Sequence, residues 1–235
     1  MKTQDNQENK GQSRRNFIKQ SSTVGAGMML MGSVPLFANS KNTDEKEIID
    51  MSKNIKTKGY AAKDESGKLS PWEFERRPVG DDDILIDIKF ASICHSDIHQ
   101  EKGHWGKQQY PQVPGHEIVG VVAAVGKNVT KFKVGDRAGV GCMVDSCMEC
   151  ESCTHGEEHF CDRGQTLFTY GNKTKAEPTG ITQGGYSDKI VVRDHFAVHI
   201  PDHITFEEAA PLLCAGITTY SPIMRAQIKV GDKVG

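Results

Sequence analysis

Ile84-Leu85-Ile86-Asp87-Ile88-Lys89-Phe90 places Ile84, Ile86, Ile88 and Phe90 at every second position, with Leu85, Asp87 and Lys89 between them. Side chains of a strand point alternately to its two faces, so this period predicts a half-buried β-strand with one apolar face. Outward from it, 118–125 is a short apolar run closed by Gly126, Val134-Gly135-Asp136-Arg137 reads as a turn into another strand, and 186–192 and 197–200 continue the series. Short Val/Ile-rich strands between glycine turns predict a mostly β fold with short helices, arranged as a twisted barrel. Helical pattern is expected only late, where Thr205 stands three residues before Glu208 as in a capping box and the run 209–215 follows. Pro211 and Pro222 are expected to break that region into short pieces.

Composition narrows the function classes. The chain has 235 residues, 37% hydrophobic and 26% charged, which is ordinary for a folded domain. Its 29 Lys and Arg against 31 Asp and Glu give a formal net charge of -2, so no general basic field exists to attract nucleic acid or anionic lipid. No internal repeat is present.

The seven cysteines carry the strongest local signal. Cys147-x2-Cys150-x2-Cys153-x7-Cys161 can close four thiolates round one tetrahedral Zn2+ from a single loop, and the intervening Met148, Glu149, Glu151, Ser152 and His155 are too polar for a core. Two disulfides or an iron-sulfur cluster are the competing readings. The first three cysteines copy a ferredoxin run, but its fourth spacing is three residues followed by Pro, whereas here it is seven followed by Asp162. Four protein ligands leave no position for a substrate, so this site is expected to be structural. Cys94, His116 and Cys214 are individually weak signals, because a lone cysteine in an apolar run or a lone histidine is commonly a core residue.

Four stretches in register change that reading. Cys94-His95-Ser96-Asp97-Ile98-His99-Gln100, Tyr110-Pro111-Gln112-Val113-Pro114-Gly115-His116-Glu117-Ile118-Val119-Gly120, Val140-Gly141-Cys142-Met143-Val144-Asp145-Ser146-Cys147 and the stretch from Ala210-Pro211-Leu212-Leu213-Cys214 to Pro222 resemble the zinc-dependent medium-chain alcohol dehydrogenases. Within these, the cinnamyl-alcohol-dehydrogenase-like branch is the most similar, from about residue 68 to the end. The resemblance implies a GroES-like barrel catalytic domain and an NAD(P)-linked enzyme interconverting primary alcohols and aldehydes, with aldehyde reduction by NADPH expected. It implies two Zn2+ ions and a small-molecule alcohol or aldehyde as substrate, and leaves homo-oligomerisation of a full-length enzyme open.

The residue roles it implies are specific. Cys94, His116 and Cys214 would hold the catalytic zinc, and Cys147, Cys150, Cys153 and Cys161 the structural one. Glu117 would be the carboxylate that approaches the metal during ligand exchange, while Asp97 would orient the ring of His116. Ser96 and His99 would be the inner and outer ends of a proton relay bridged by the cofactor ribose. His95 would lie near the cofactor pyrophosphate, Thr218 near the nicotinamide, and Trp105 in the substrate pocket or equally in the core. Cys142 falls outside both ligand sets and reads as a structural free thiol.

Both ends of the chain also carry signals. Ser13-Arg14-Arg15-Asn16-Phe17-Ile18-Lys19, followed by uncharged residues 21–38, resembles a twin-arginine export signal in which Ile18 replaces the usual Leu. Residues 1–38 are therefore expected to direct the protein to the periplasm, with cleavage after Ala38 or Ser40; a membrane anchor or a cytoplasmic protein with a chance arginine pair is the alternative. Residues 39–59 read as a polar linker and 60–228 as the zinc-binding domain, incomplete at its C-terminal end. Residues 229–235 resemble the approach to the first strand of a nucleotide-binding domain, and no G-x-G-x-x-G occurs where such a domain would show it. The expectation is a chain lacking its Rossmann domain, either part of a longer enzyme or a truncated and inactive zinc-binding fragment.

Overall fold

A computed structural model describes residues 49–235, so the export-type segment 1–38 and the linker up to residue 48 lie outside the described residues. The described part starts with a hairpin of β1 (Ile55–Ala62) and β2 (Leu69–Arg76), paired antiparallel from Ile55 opposite Arg76 to Ala62 opposite Leu69. β1 thus begins inside the stretch read as linker, and Ile55 is buried. The polar composition of 39–59 hid a strand whose apolar positions are few.

The main sheet is built from β3 (Asp83–Ala91), β4 (Ile118–Val125), β5 (Arg137–Val140), β8 (Lys189–Arg193) and β9 (Ala197–His199), antiparallel in the order β8-β3-β4-β5-β9. Two register shifts interrupt the β3–β4 pairing, between Leu85 and Ile86 and between Ile88 and Phe90. Such bulges increase local twist, and the sheet curls into the half-barrel expected of a GroES-like domain. A short ladder of β6 (Met143–Asp145) and β7 (Leu167–Phe168) frames the cysteine loop.

The alternation in β3 is only half of its story. Ile84 and Ile86 enter the main core with Ile118, Val122, Ile190 and Val192, as the period predicts. Leu85, on the other face, is equally buried, packed with Ile55, Ala124 and Val191. The strand is therefore covered on both faces at its start, and Phe90 at its other end is 41% exposed.

Among the described residues there are also four short α-helices: α1 (His95–Glu101), α2 (Glu151–Thr154), α3 (Phe206–Ala209) and α4 (Ala215–Arg225). The capping box before α3 forms, with Thr205 Oγ1 accepting from the Glu208 N–H at 3.2 Å. Pro211 sits in a separate 3-10 turn, Ala210–Leu213, as expected. Pro222, by contrast, lies inside α4 without ending it; Pro222 is exposed, so the carbonyl it leaves unpaired is hydrated. α1 contradicts the expectation that helix appears only late. Its N-cap is Cys94, whose N–H donates to Asp97 Oδ2 at 2.9 Å, a capping arrangement hidden because Cys replaces the usual Ser or Thr. Among the described residues no helix is long and apolar enough to cross a membrane.

Because Ile86 is fully enclosed and Phe90 is not, Ile86→Ala is expected to cost about 2–5 kcal/mol and Phe90→Ala under about 1 kcal/mol. Urea unfolding of the two variants checks this, and equal losses would mean the far end of β3 is covered in solution.

Candidate metal centres

Among the described residues two groups of side chains able to ligate a metal converge, each with donor atoms all within 4.8 Å of one another: Cys147, Cys150, Cys153 and Cys161, and Cys94, His116 and Cys214. In the first, Cys147 Sγ lies 3.7 Å from Cys153 Sγ and Cys150 Sγ lies 3.9 Å from Cys161 Sγ. A tetrahedron with metal–sulfur bonds of about 2.3 Å has edges of about 3.8 Å, whereas a disulfide needs about 2.05 Å. A multi-iron cluster would spread the thiols over several metal atoms. The donor set therefore fits one tetrahedral ion, and all seven cysteines are free thiols in this structure.

The loop is shaped for that geometry by backbone donors. The Cys150 N–H points at Cys147 Sγ and the Asp162 N–H at Cys150 Sγ, each at 3.4 Å. Glu158, buried, pairs with the ring of His195 and so fastens the loop to the β8–β9 connection.

The second group is assembled from three distant stretches. Cys94 caps α1, His116 follows the loop before β4, and Cys214 precedes α4. Cys94 Sγ and Cys214 Sγ are 3.9 Å apart, again a tetrahedral edge. Gly115 has φ +103, and a Cβ there would meet the Tyr186 ring at 2.7 Å, so only glycine permits the turn that presents His116.

Asp97 holds this group together. Its carboxylate accepts from the His116 ring Nδ1 at 2.8 Å, the Gly115 N–H at 3.1 Å, the Cys94 N–H at 2.9 Å and the Tyr186 hydroxyl at 2.8 Å. Burial works to raise its pKa, but these donors, His116 foremost, hold it below the ordinary carboxylate range. With Nδ1 engaged, His116 is left with Nε2 for a ligand. Tyr170 adds a hydroxyl 3.1 Å from Nδ1 and meets the ring edge-on.

The two thiols differ. Burial opposes ionisation of Cys94, but donors from Ser96 and the nearby His116 draw its pKa below the usual value. Burial, followed by the neighbouring thiols Cys142 and Cys94, pushes Cys214 up to about 12. A cation between them relieves that conflict.

A cavity of about 460 Å³ opens on this group, lined by Ser96, Trp105, His116, Cys142, Tyr170 and Cys214 among others. Ser96 and Trp105 are thus beside the metal ligands. Cys142 belongs to the cavity wall, though outside both ligand sets. Glu117, directly after His116, has a carboxylate that accepts from the Ser92 hydroxyl and from the Ala215 N–H at 3.1 Å, bracing the approach to Cys94 against the start of α4. His95 and His99 lie against each other with their rings tilted by 48°, outside the cavity wall, and Thr218 is exposed on α4, its N–H on the Cys214 carbonyl at 2.9 Å. Tyr170, Tyr186, Ser92 and Arg76 were not singled out from the sequence. Arg76 is buried and donates to the carbonyls of Gln183 and Gly184, both at 2.8 Å; that loop in turn backs residues 113–115.

A curled sheet carrying one four-thiol site and one Cys2His site at a cavity defines the catalytic-domain class of the medium-chain dehydrogenases. Residues 80–202 match the family described as "Alcohol dehydrogenase GroES-like domain", and the chain belongs to that family. Cinnamyl alcohol dehydrogenase 2 of Arabidopsis thaliana is 53% identical over 165 residues, 70% of this chain and 43% of the relative. A probable mannitol dehydrogenase of Mesembryanthemum crystallinum is 51% identical over 177 residues, 75% of this chain and 47% of the relative. The crystal structure of CAD from Helicobacter pylori complexed with NADP(H) is similar at TM-score 0.74 and 43% identity, covering 78% of this chain and 52% of that one. The chain spans a little under half the length of these curated relatives.

Asp97 also sets the protonation of the metal-free site. Burial lowers the His116 pKa, but the Asp97 hydrogen bond and charge outweigh it and raise the value above the ordinary 6.5. In the folded, metal-free protein the pair's stabilisation is lost as pH rises through His116's raised folded value and lost again as pH falls through Asp97's lowered one, so it is present only in the window between them. In Asp97→Asn, His116 should titrate at lower pH in NMR spectra of the metal-free protein. An unchanged titration would show that Asp97 does not govern the ring.

Proposed function

We propose that the chain is the metal-binding part of a zinc-dependent, NADP(H)-linked oxidoreductase that interconverts primary alcohols and aldehydes. The observation that carries this is the meeting of Cys94, His116 and Cys214 at a cavity that also presents the Ser96 hydroxyl. Three protein ligands leave a fourth coordination position, the mark of a catalytic rather than a structural site. A zinc ion held there supplies Lewis acidity toward an alcohol or aldehyde oxygen. NADP(H) is supported by the complex of the similar Helicobacter pylori enzyme. The names of the relatives support a small alcohol or aldehyde as substrate.

The chain's own residues do the rest. Asp97 fixes the ring of His116, and Glu117 holds the two cysteine-bearing segments at their spacing. Ser96 receives the hydroxyl proton of an alcohol, or returns it to an aldehyde oxygen. His99, three residues further along α1 on the same side, passes it outward. His95 and Thr218 are the positions that meet the cofactor, and Trp105 shapes the substrate pocket. The four-cysteine loop holds a second zinc in a closed, structural site. The twin-arginine reading of residues 1–38 belongs to the same proposal: export of an already folded protein keeps its thiols metal-bound before they meet the oxidising periplasm.

Metal analysis is expected to find two zinc ions per chain. Cys153→Ser should lower thermal stability, whereas Cys94→Ser should remove only the more labile ion; a single zinc in the parent protein would refute the two-site assignment. In the whole enzyme, Ser96→Ala should depress kcat about a hundredfold and His99→Ala about tenfold, because water can replace the outer end of a relay more readily than the inner. Steady-state aldehyde reduction measures both, and parent-like rates for Ser96→Ala would sink the relay.

A further inference from the structure

Outside both ligand sets, three histidines gather at one corner of α1. His95 and His99 are four residues apart and lie on one side of the helix, their ring centroids 4.7 Å apart. His104 is folded back toward them: its backbone N–H donates to the His99 carbonyl at 2.9 Å, and its Nδ1 lies 2.9 Å from His99 Nδ1. The Trp105 ring packs 5.3 Å from that of His99. His95 and His104 are exposed and His99 is half-buried, so the cluster opens to solvent.

We propose that His99 and His104 form a surface site for a divalent transition ion of the imidazole-preferring Cu2+ or Ni2+ class. The separation of the two Nδ1 atoms is the first reason. Metal–nitrogen bonds of about 2.0–2.1 Å meeting at a right angle give an N···N edge of about 2.9 Å, while a tetrahedral centre needs about 3.3 Å. The observed 2.9 Å therefore matches a tetragonal or octahedral ion rather than zinc in its usual geometry. The second reason is access, since His104 is exposed and His99 only half-buried, so an ion with its remaining water ligands can reach both rings. The third is protonation. Partial burial, then the charges of His95 and His104, lower the His99 pKa below the ordinary imidazole value, which keeps a nitrogen lone pair free near neutrality.

This site shares no ligand with Cys94, His116 and Cys214, and it does not depend on the reaction proposed above. One consequence does rest on that reading: an ion on His99 occupies the outer end of the relay, so excess metal of this class slows proton transfer.

Trp105 provides the readout, because the chain has only two tryptophans and Trp72 is on β2. Ni2+ is the probe, chosen because it does not oxidise thiols. Titrated into the full chain as purified, it should quench tryptophan fluorescence saturably at one ion per chain, and Trp105→Phe should abolish the quench. His104→Ala should shift the midpoint upward roughly tenfold or more, and His203→Ala, at an exposed histidine between β9 and α3, should leave it in place. Circular dichroism confirms that each variant is folded. No saturable quench in the parent, an unmoved midpoint in His104→Ala, or an equal shift in His203→Ala overturns the proposal and leaves the Nδ1 contact an ordinary imidazole hydrogen bond.

Discussion

The Asp97 carboxylate accepts hydrogen bonds from donors on three separate parts of the chain: Cys94 at the cap of α1, Gly115 and His116 before β4, and Tyr186 before β8. A carboxylate buried this completely is costly unless its oxygens are satisfied, and four donors satisfy them. The same contacts set where Cys94 and His116 stand relative to each other. One ionised group thereby starts a helix, orients a ring and ties down a loop. The strands behind it supply the rigid frame on which these small adjustments hold.

The remaining ligand is brought in by a different carboxylate. Glu117 follows His116 directly and reaches the Ala215 N–H, so the segment bearing Cys214 is docked through the same short stretch that carries the imidazole. Its other oxygen takes the Ser92 hydroxyl two residues before Cys94. Asp97 and Glu117 thus divide the work of gathering three donors whose sequence separation reaches 120 residues. In the metal-free state the donors are electrostatically mismatched, with Cys94 drawn toward ionisation and Cys214 held protonated. A frame that enforces proximity despite this stores the tension a cation relieves.

How far the sequence discloses this arrangement depends on the range of the interaction. The four-thiol loop is readable because its geometry is encoded within fifteen consecutive positions, and 2.3 Å bonds demand such spacing. The β3 period is readable for Ile84 and Ile86, but not the burial of Leu85, since alternation cannot reveal that Val191 and Ile55 cover the second face. α1 is hidden because a cysteine stands where a capping hydroxyl is usual. Cys94, His116 and Cys214 emerge only through resemblance in register. Tyr170 and Tyr186 do not emerge at all, because an isolated tyrosine announces nothing, and their partners lie 54 and 89 residues away. Arg76 is the extreme case: a charged residue at the end of a hairpin reads as surface, yet it is buried against carbonyls 107 and 108 positions later.

The contrast between the two ligand sets has a consequence for the order in which the molecule is made. Closing a short loop costs little chain entropy, so Cys147, Cys150, Cys153 and Cys161 can take their ion while later residues are still being synthesised. Cys94 and His116 can be held ready by Asp97, but their set waits for Cys214. An ion taken up there would act as a seed about which the nascent loop organises. One at the other set could be gripped fully only after the ribosome has released the segment that leads into α4, so its capture would timestamp the arrival of Cys214.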